Sequence, residues 1–527
     1  MKEENEKFLD WIVYQIYPRS FMDGNGDGIG DLKGITGKLD YLKELGVNAV
    51  WLSPCYKSPN CDNGYDISDY RDIMDEFGTL DDWKEMTAGM HERGIKLIMD
   101  FVANHTSDRH YWFKEARKSK DNPYHGYYIW RDEIPNGWQS VFGGPAWEYN
   151  GATGEYYLHS FAVGQPDLNW ENPKVRREMA DVIDYWVDMG ADGFRCDVLN
   201  FISKDFEKGK MFDGPKFHEY VKELFGREKV RGIFTVGECS FGKEGIPQIC
   251  GEDRDELKCI FQFEHFYIGQ EGKFCRRPYK IDEARDILVK WQNFYQEKDL
   301  PYTLFTDNHD NAHYISRLGN DGKYRYECAT MYAVMFYLLR GIPFIYQGQE
   351  YGSPDPRYSD IKDFDDVETF NYFEANKNLP DVMDRINYGS RDNVRRPVCW
   401  NGGKNYGFSS ADKAWITLHS RGEEVNLERD VNSEKSVFAF YKKVLALRKE
   451  SGAVRHGRFT DLTAGEGYFA YERSDANESI LAVCNFENPK SIEGLPCGEY
   501  LFGNGAKRRD SNGSYAPYET AVFRIKR

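Results

Sequence analysis

GFRCDV, residues 193–198, is an apolar run that ends on a carboxylate, Asp197, and two later runs end alike: FTVGE (234–238) on Glu238 and YTLFTDNHD (302–310) on Asp310. Working outward, the same kind of run recurs earlier as WIVYQIYP near the start, VNAVWLSP at 47–54 and IKLIMDFV at 95–102. It recurs later as IFQFEH at 260–265 and IPFIYQGQE at 342–350. Between these runs lie segments such as ITGKLDYLKEL and VRREMADVIDYWVDM, whose apolar residues fall three and four apart, the period of an amphipathic helix. Eight strands alternating with helices predict an α/β protein built as a parallel (β/α)8 TIM barrel.

The spacing is uneven in two places. About ninety residues separate the third and fourth runs, too many for one crossover helix. The stretch 104–170, rich in Tyr, Trp, Gly and Asn, is therefore expected to be an inserted subdomain. A second excursion, about 351–431, precedes the helix-like SVFAFYKKVLALRKE. The expected organisation is a first barrel part at 1–103, the insertion at 104–170, a second barrel part at 171–451 and a C-terminal antiparallel β domain at 452–527. Excursions at strand C-terminal ends would wall the mouth where barrel enzymes keep their chemistry.

Forty per cent hydrophobic residues in 527 suffice for a large core, and a net charge of −17 repels nucleic acid and anionic membranes. A neutral small molecule is indifferent to that field. Aromatic residues make up 16 % of the chain, some in short Gly- and Asp-rich segments where they could stack on sugar faces. No window approaches the roughly 20 apolar residues of a membrane span. The N-terminus lacks a basic start followed by an apolar stretch, and eleven cysteines lie without C-x-x-C pairs. Reduced thiols and a soluble, cytoplasmic protein are the expectation.

Two carboxyl groups, one nucleophile and one acid, are the minimum for cleaving a glycosidic bond with retention. Asp197 and Glu238 supply such a pair; Asp310, Arg195, His105 and His309 suit a sugar ring held by its hydroxyls. The nucleophile must be ionised while the acid is protonated, so Arg195 is expected to keep Asp197 charged while burial and nearby carboxylates raise the acid. DGNGDGIGDL begins like a calcium loop, with oxygen-bearing Asp23, Asn25, Asp27 and Asp31 at alternate positions. It is not an EF-hand, because position twelve is Gly34. His91, His218 and His419 have no companions in these motifs and are read as surface or packing residues.

DFVANHTSDRH, QPDLN, GFRCDVLN, the VGE strand end and NHD, in that order, resemble the signature segments of the alpha-amylase superfamily, glycoside hydrolase family 13. SPNCDNGYDISDY and SRDNVRRPVCWNGGKNYGF resemble its oligo-1,6-glucosidase and alpha-glucosidase branch. The resemblance implies Asp197 as nucleophile, Glu238 as acid and base, and Asp310 as a binder of ring hydroxyls. It also implies His105 and His309 as donors to the ring, Tyr65 stacked beneath it, and Asp62 with Arg395 closing the pocket behind a terminal glucose. Phe142, Phe161 and Gln165 would surround the first sugar, and Val198 accompanies α-1,6 preference in that branch. The carbonyl of Ile29 would complete a structural calcium cage.

A closed pocket implies exo action on short oligosaccharides. Where the branch has Gln-Pro-Arg after NHD, this chain has Asn311, Ala312 and His313, which leaves the leaving-group side open, with Arg317 a possible substitute. Gln349, Arg396 and Cys399 also depart from the branch pattern. Trehalose-6-phosphate hydrolases share most of these motifs but need cations for a phosphate. Sucrose isomerases carry a charged loop where this chain has RLGND (317–321), and non-catalytic transporter heavy chains lack the carboxylates.

Overall fold

The computed structural model describes residues 7–239, 241–251 and 254–525. Eight parallel strands form one sheet: β1 (Val13–Ile16), β2 (Ala49–Leu52), β3 (Lys96–Val102), β4 (Gly193–Asp197), β5 (Phe234–Gly237), β6 (Cys259–Ile260), β7 (Thr303–Leu304) and β8 (Ile342–Tyr346). Their order, β6-β5-β4-β3-β2-β1-β8-β7, makes every neighbour sequential except where β1 meets β8. That join wraps the sheet into a barrel. Thr303 Oγ1 donates to the Ile260 carbonyl at 3.2 Å, linking β7 to β6 across the remaining gap. Side-chain linkage in place of a ladder explains why IFQFEH contributes only Ile260 to a strand and YTLFTDNHD only Thr303 and Leu304.

Alternation along the strands sorts side chains into two cores. Val13, Ala49, Trp51, Ile98, Phe234, Val236 and Phe344 fill the barrel interior, and the facing set packs under the helices. The helices form where the period predicts. Leu80–Glu92 is opened by a reciprocal capping box of Thr79 with Asp82 and buries Trp83, Met86 and Met90. Pro173–Asp188 starts on an Asn172 cap with Pro173 in its first turn and buries Val175, Met179, Val182, Ile183 and Trp186. ITGKLDYLKEL is divided differently: Gly37 caps a short helix, Leu32–Thr36, before Leu39–Leu45 begins.

Between β3 and β4 a three-stranded antiparallel sheet, Trp130–Arg131, Glu155–Leu158 and Trp147–Asn150, carries its own small core of Ile129, Ala146, Trp147 and Leu158. After β8, helices Val367–Asn376 and Val382–Gly389 lie in the second excursion. A five-stranded antiparallel sheet spanning Arg458 to Ile525 follows the helix Val437–Glu450. Its Tyr471 hydroxyl donates to Val334 O at 2.6 Å, fastening it to the helix Arg325–Tyr337. None of the eleven cysteines is in a disulfide, and no helix among the described residues is long and apolar enough to cross a membrane.

Candidate active site

Period-two alternation sends Arg195 and Asp197 of β4 to one face and buries Cys196 in the outer core. Asp100, from β3, points the same way and completes a cluster that the sequence reading overlooked. The Arg195 guanidinium, 2 % exposed, binds three carboxylates: Asp100 at 2.7 Å, Asp197 at 2.6 Å, and Glu238 just past the end of β5. Asp197 and Glu238 thus sit on the two ends of one planar fork, as the geometry of a guanidinium imposes.

The backbone bends sharply here. Val198 has φ 33° and ψ 44°, left-handed for a β-branched residue, and its N–H points at Glu238 Oε2 at 3.3 Å. Such a conformation costs on the order of 1–3 kcal/mol and persists only where its surroundings enforce it.

One cation against three carboxylates leaves an excess of negative charge. Burial, with Glu238 and Asp100 adding, pushes the Asp197 carboxyl well above the usual range despite the pull of Arg195. Burial likewise pushes Asp100 up to about 6. This differs from the expectation that Arg195 keeps Asp197 ionised, because the guanidinium is divided among three acids.

Asp310 behaves oppositely. Burial alone would raise it, but the positive environment of His309, Arg395, Arg391 and Lys273 holds its carboxyl well below the usual range. Burial pushes the His309 imidazole well below its usual range, with Arg195, Arg395 and Arg391 adding, against the pull of Asp310. The imidazole is bonded on both nitrogens: Gln15 Nε2 reaches Nδ1 at 2.8 Å, and Nε2 meets the Tyr65 hydroxyl at 2.6 Å. With the Gln15 amide donating, Nε2 carries the proton. Tyr65 in turn donates to Asp100 at 3.0 Å and stacks on His309 with ring centroids 5.3 Å apart.

A single cavity of about 490 Å³ is lined by Asp62, Tyr65, His105, Phe142, Phe161, Asp197, Val198, Glu238, His309 and Asp310 together. The structure therefore gathers all three carboxylates and most of the expected binding residues. Phe142 and Phe161 meet edge to face, centroids 5.6 Å apart, and Phe161 also packs against His105.

Three expected residues stand elsewhere. Arg395, fully buried, does not pair with Asp62; it donates to Asp310 at 2.9 Å and to the His309 carbonyl at 2.8 Å. The cation on Asp62 is Arg391, at 2.9 Å, which also grips Asp366 at 2.5 Å and lies 4.9 Å over the Phe142 ring. SRDNVRR offers three arginines, and only the short helical turn Arg391–Asn393 decides which one reaches the cavity. Gln165 is fully buried behind the wall, donating to Asp62 and reaching His105 Nε2, both at 3.1 Å, so it orients those two side chains. Arg195 likewise lies beneath the carboxylates and outside the cavity lining.

Of the other residues flagged by sequence, one reaches the site. Asn311 lines the cavity, whereas His313 turns away to Asp307 at 3.0 Å. Arg317 faces a different cavity. Gln349 donates to Thr306 at 2.7 Å, and Arg396 lies over the Tyr358 ring at 4.4 Å. His91 and His218 do have partners, Asp192 at 2.7 Å and Glu256 at 2.8 Å, and His419 bonds the Pro354 carbonyl.

In the loop 23–31, Asp23 and Asp31 each accept backbone N–H groups: Asp23 from Gly26 at 2.6 Å and Gly28 at 2.8 Å, Asp31 from Asn25 at 3.0 Å and Gly34 at 2.6 Å. Gly26 and Gly28 have φ of 85° and 97°, which lets the loop curl on itself. Burial raises the Asp31 carboxyl, and Asp23 adds to the rise. Among the described residues no three His, Cys, Asp or Glu side chains converge as a metal set, so an ion here would need Asn25 and a carbonyl as well.

Residues 15–457 match the family model for the alpha amylase catalytic domain. The chain is 47 % identical to the oligo-1,6-glucosidase of Parageobacillus thermoglucosidasius, over 92 % of this chain and 91 % of that one. Among solved structures it is similar to the trehalose-6-phosphate hydrolase of Bacillus licheniformis, with a TM-score of 0.92 at 38 % identity covering 99 % and 100 % of the two chains. It is also similar to the isomaltulose synthase of Erwinia rhapontici, with a TM-score of 0.93 at 35 % identity covering 99 % of each. With barrel, carboxylates and matched span in agreement, the chain belongs to the alpha-amylase family, glycoside hydrolase family 13.

Proposed function

We propose that the protein is a retaining, exo-acting α-glucosidase that removes terminal α-1,6-linked glucose from isomaltose and short isomalto-oligosaccharides. The observation that carries this reading is one cavity holding Asp197, Glu238 and Asp310, with its back closed by the buried Asp62–Arg391 pair. A chain cannot thread past that pair, so a non-reducing end is what enters.

Asp197 attacks the anomeric carbon and Glu238 protonates the leaving oxygen; Glu238 then takes a proton from water as the glycosyl-enzyme is hydrolysed. The first step needs a protonated Glu238 and an ionised Asp197, which Arg195 contacts. Asp310, held ionised by Arg395 and Arg391, faces the positive charge that develops on the ring.

Two cations line the cavity, Lys273 and Arg391, and both are engaged, Lys273 by Glu368 and Arg391 by Asp62 and Asp366. This argues against a sugar phosphate as substrate. Unpaired thiols at all eleven cysteines support a cytoplasmic location. The oxygen donors of Asp23, Asn25, Asp27 and Asp31, with the Ile29 carbonyl, are of the hard type that calcium takes, and a structural ion in that loop is part of the same proposal.

Comparing kcat/KM for isomaltose, maltose, panose, sucrose and trehalose 6-phosphate tests the assignment, with isomaltose expected highest. Asp197→Asn should lower turnover by about 10⁴-fold or more. Preference for trehalose 6-phosphate, or undiminished turnover in the variant, would overturn it.

A further inference from the structure

Alternation along β1 puts Gln15 on the same inner face as Val13, and the side chain is 1 % exposed. A buried amide has to place its hydrogen bonds, and its nitrogen carries two N–H groups. Gln15 Nε2 lies 2.8 Å from His309 Nδ1 and 3.2 Å from Ser53 Oγ, so both donors are used. His309 lines the cavity that holds the three carboxylates; Gln15 stands behind it and outside that lining.

The far side of the imidazole settles which nitrogen is protonated. His309 Nε2 faces two acceptors. One is the Asp310 carboxylate at 3.1 Å, which its arginine neighbours hold ionised. The other is the Tyr65 oxygen at 2.6 Å, whose own hydrogen is directed to Asp100 at 3.0 Å. Nε2 therefore carries a hydrogen. Burial keeps the ring from taking a second proton near neutral pH, which leaves Nδ1 bare. Only a donor suits a bare nitrogen, and the NH₂ end of Gln15 is that donor.

We propose that Gln15 is a positioning residue for bond cleavage: by donating to Nδ1 it locks His309 in the tautomer whose Nε2–H is directed at Asp310. In the other tautomer a bare Nε2 would meet the Asp310 carboxylate, and the two lone pairs would repel. Asp310 would then be pushed from the place where it faces the charge developing on the ring. The catalytic consequence rests on the α-glucosidase reading of this cavity, whereas the tautomer itself does not.

The test reads the ring nitrogens directly. Nuclear magnetic resonance of the full-length protein with isotope-labelled histidine, the His309 signals being identified by their loss in His309→Gln, should show a bare Nδ1 and a protonated Nε2. Gln15→Met keeps the side-chain length without a donor, and the single pattern should give way to a mixture of tautomers. The same change should lower kcat on p-nitrophenyl α-glucoside by about tenfold or more and move KM by less than about threefold. In the His309→Gln background it should lower kcat by less than about twofold, because the group it acts through is gone. A protonated Nδ1 in the wild type, an unchanged tautomer in Gln15→Met, or an equal fall in kcat with and without His309 overturns the proposal. A wild-type chain inactive on p-nitrophenyl α-glucoside yet showing the bare Nδ1 would count against the α-glucosidase reading and leave the Gln15–His309 assignment standing.

Discussion

Replacing Arg391 by Met removes the cation that the structure sets against Asp62 while keeping most of the side-chain volume. The guanidinium lies 2.9 Å from Asp62 and 2.5 Å from Asp366, all three residues being almost wholly buried. Removing one member of a buried ion pair costs about 3–5 kcal/mol, because the remaining charge is left without compensation. Asp62 can relieve part of this by taking a proton, since burial already raises its carboxyl. Asp366, held low by Arg391 and Arg395 against the cost of its burial, cannot do so as readily.

The expected loss for Arg391→Met is therefore about 3–5 kcal/mol in urea unfolding followed by tryptophan fluorescence. A double-mutant cycle makes the test specific. Asp62→Asn combined with Arg391→Met should show a coupling of about 2–3 kcal/mol, and Asp62→Asn with Arg395→Met less than about 1. Steady-state kinetics on p-nitrophenyl α-glucoside should fall in parallel for Asp62→Asn and Arg391→Met. A larger coupling of Asp62 to Arg395 than to Arg391 would refute the account of the closed pocket end.

His105 is held neutral by burial, its pKa lowered to about 4 against the pull of Asp167, whereas an unfolded histidine protonates near 6.5. The unfolded chain binds the extra proton, so this contribution is fully present above about pH 6.5 and is lost as pH falls toward 4. His105→Gln should flatten the melting temperature against pH in that window, and an unchanged slope would contradict it. Val198→Thr keeps the β-branch, so the cost of the left-handed backbone is unchanged and only a methyl is exchanged for a hydroxyl. The ratio of maltose to isomaltose activity should rise several-fold, and a constant ratio would remove the linkage argument. Stripping calcium with a chelator should lower the melting temperature without moving KM, and an identical melt would dismiss the ion at 23–31.

Much of the barrel is legible in the chain because each strand must be apolar on both faces and each helix on one, which writes two distinct periods into the sequence. The least legible strands, β6 and β7, are those whose pairing is shortest and whose contact is made by a threonine side chain. In the active site, Asp197, Glu238 and Asp310 are legible because a carboxylate at the end of an apolar run is conspicuous. Asp100 is not, since inside IKLIMDFV it reads as one polar residue in a strand, and only the barrel reveals that it shares a guanidinium with Asp197.

Sequence by itself determined the alternation of strands and helices, the carboxylates that close three apolar runs, and the family resemblance. Those depend on local periodicity and on residue identity, which need no coordinates. Tertiary structure alone decided that Arg391 rather than Arg395 closes the pocket, that Gln165 stands behind the wall, and that one arginine is shared among three acids. Electrostatic partnership depends on distance through space and on burial, and residues as far apart in the chain as Asp62 and Arg391 acquire both only when the barrel folds.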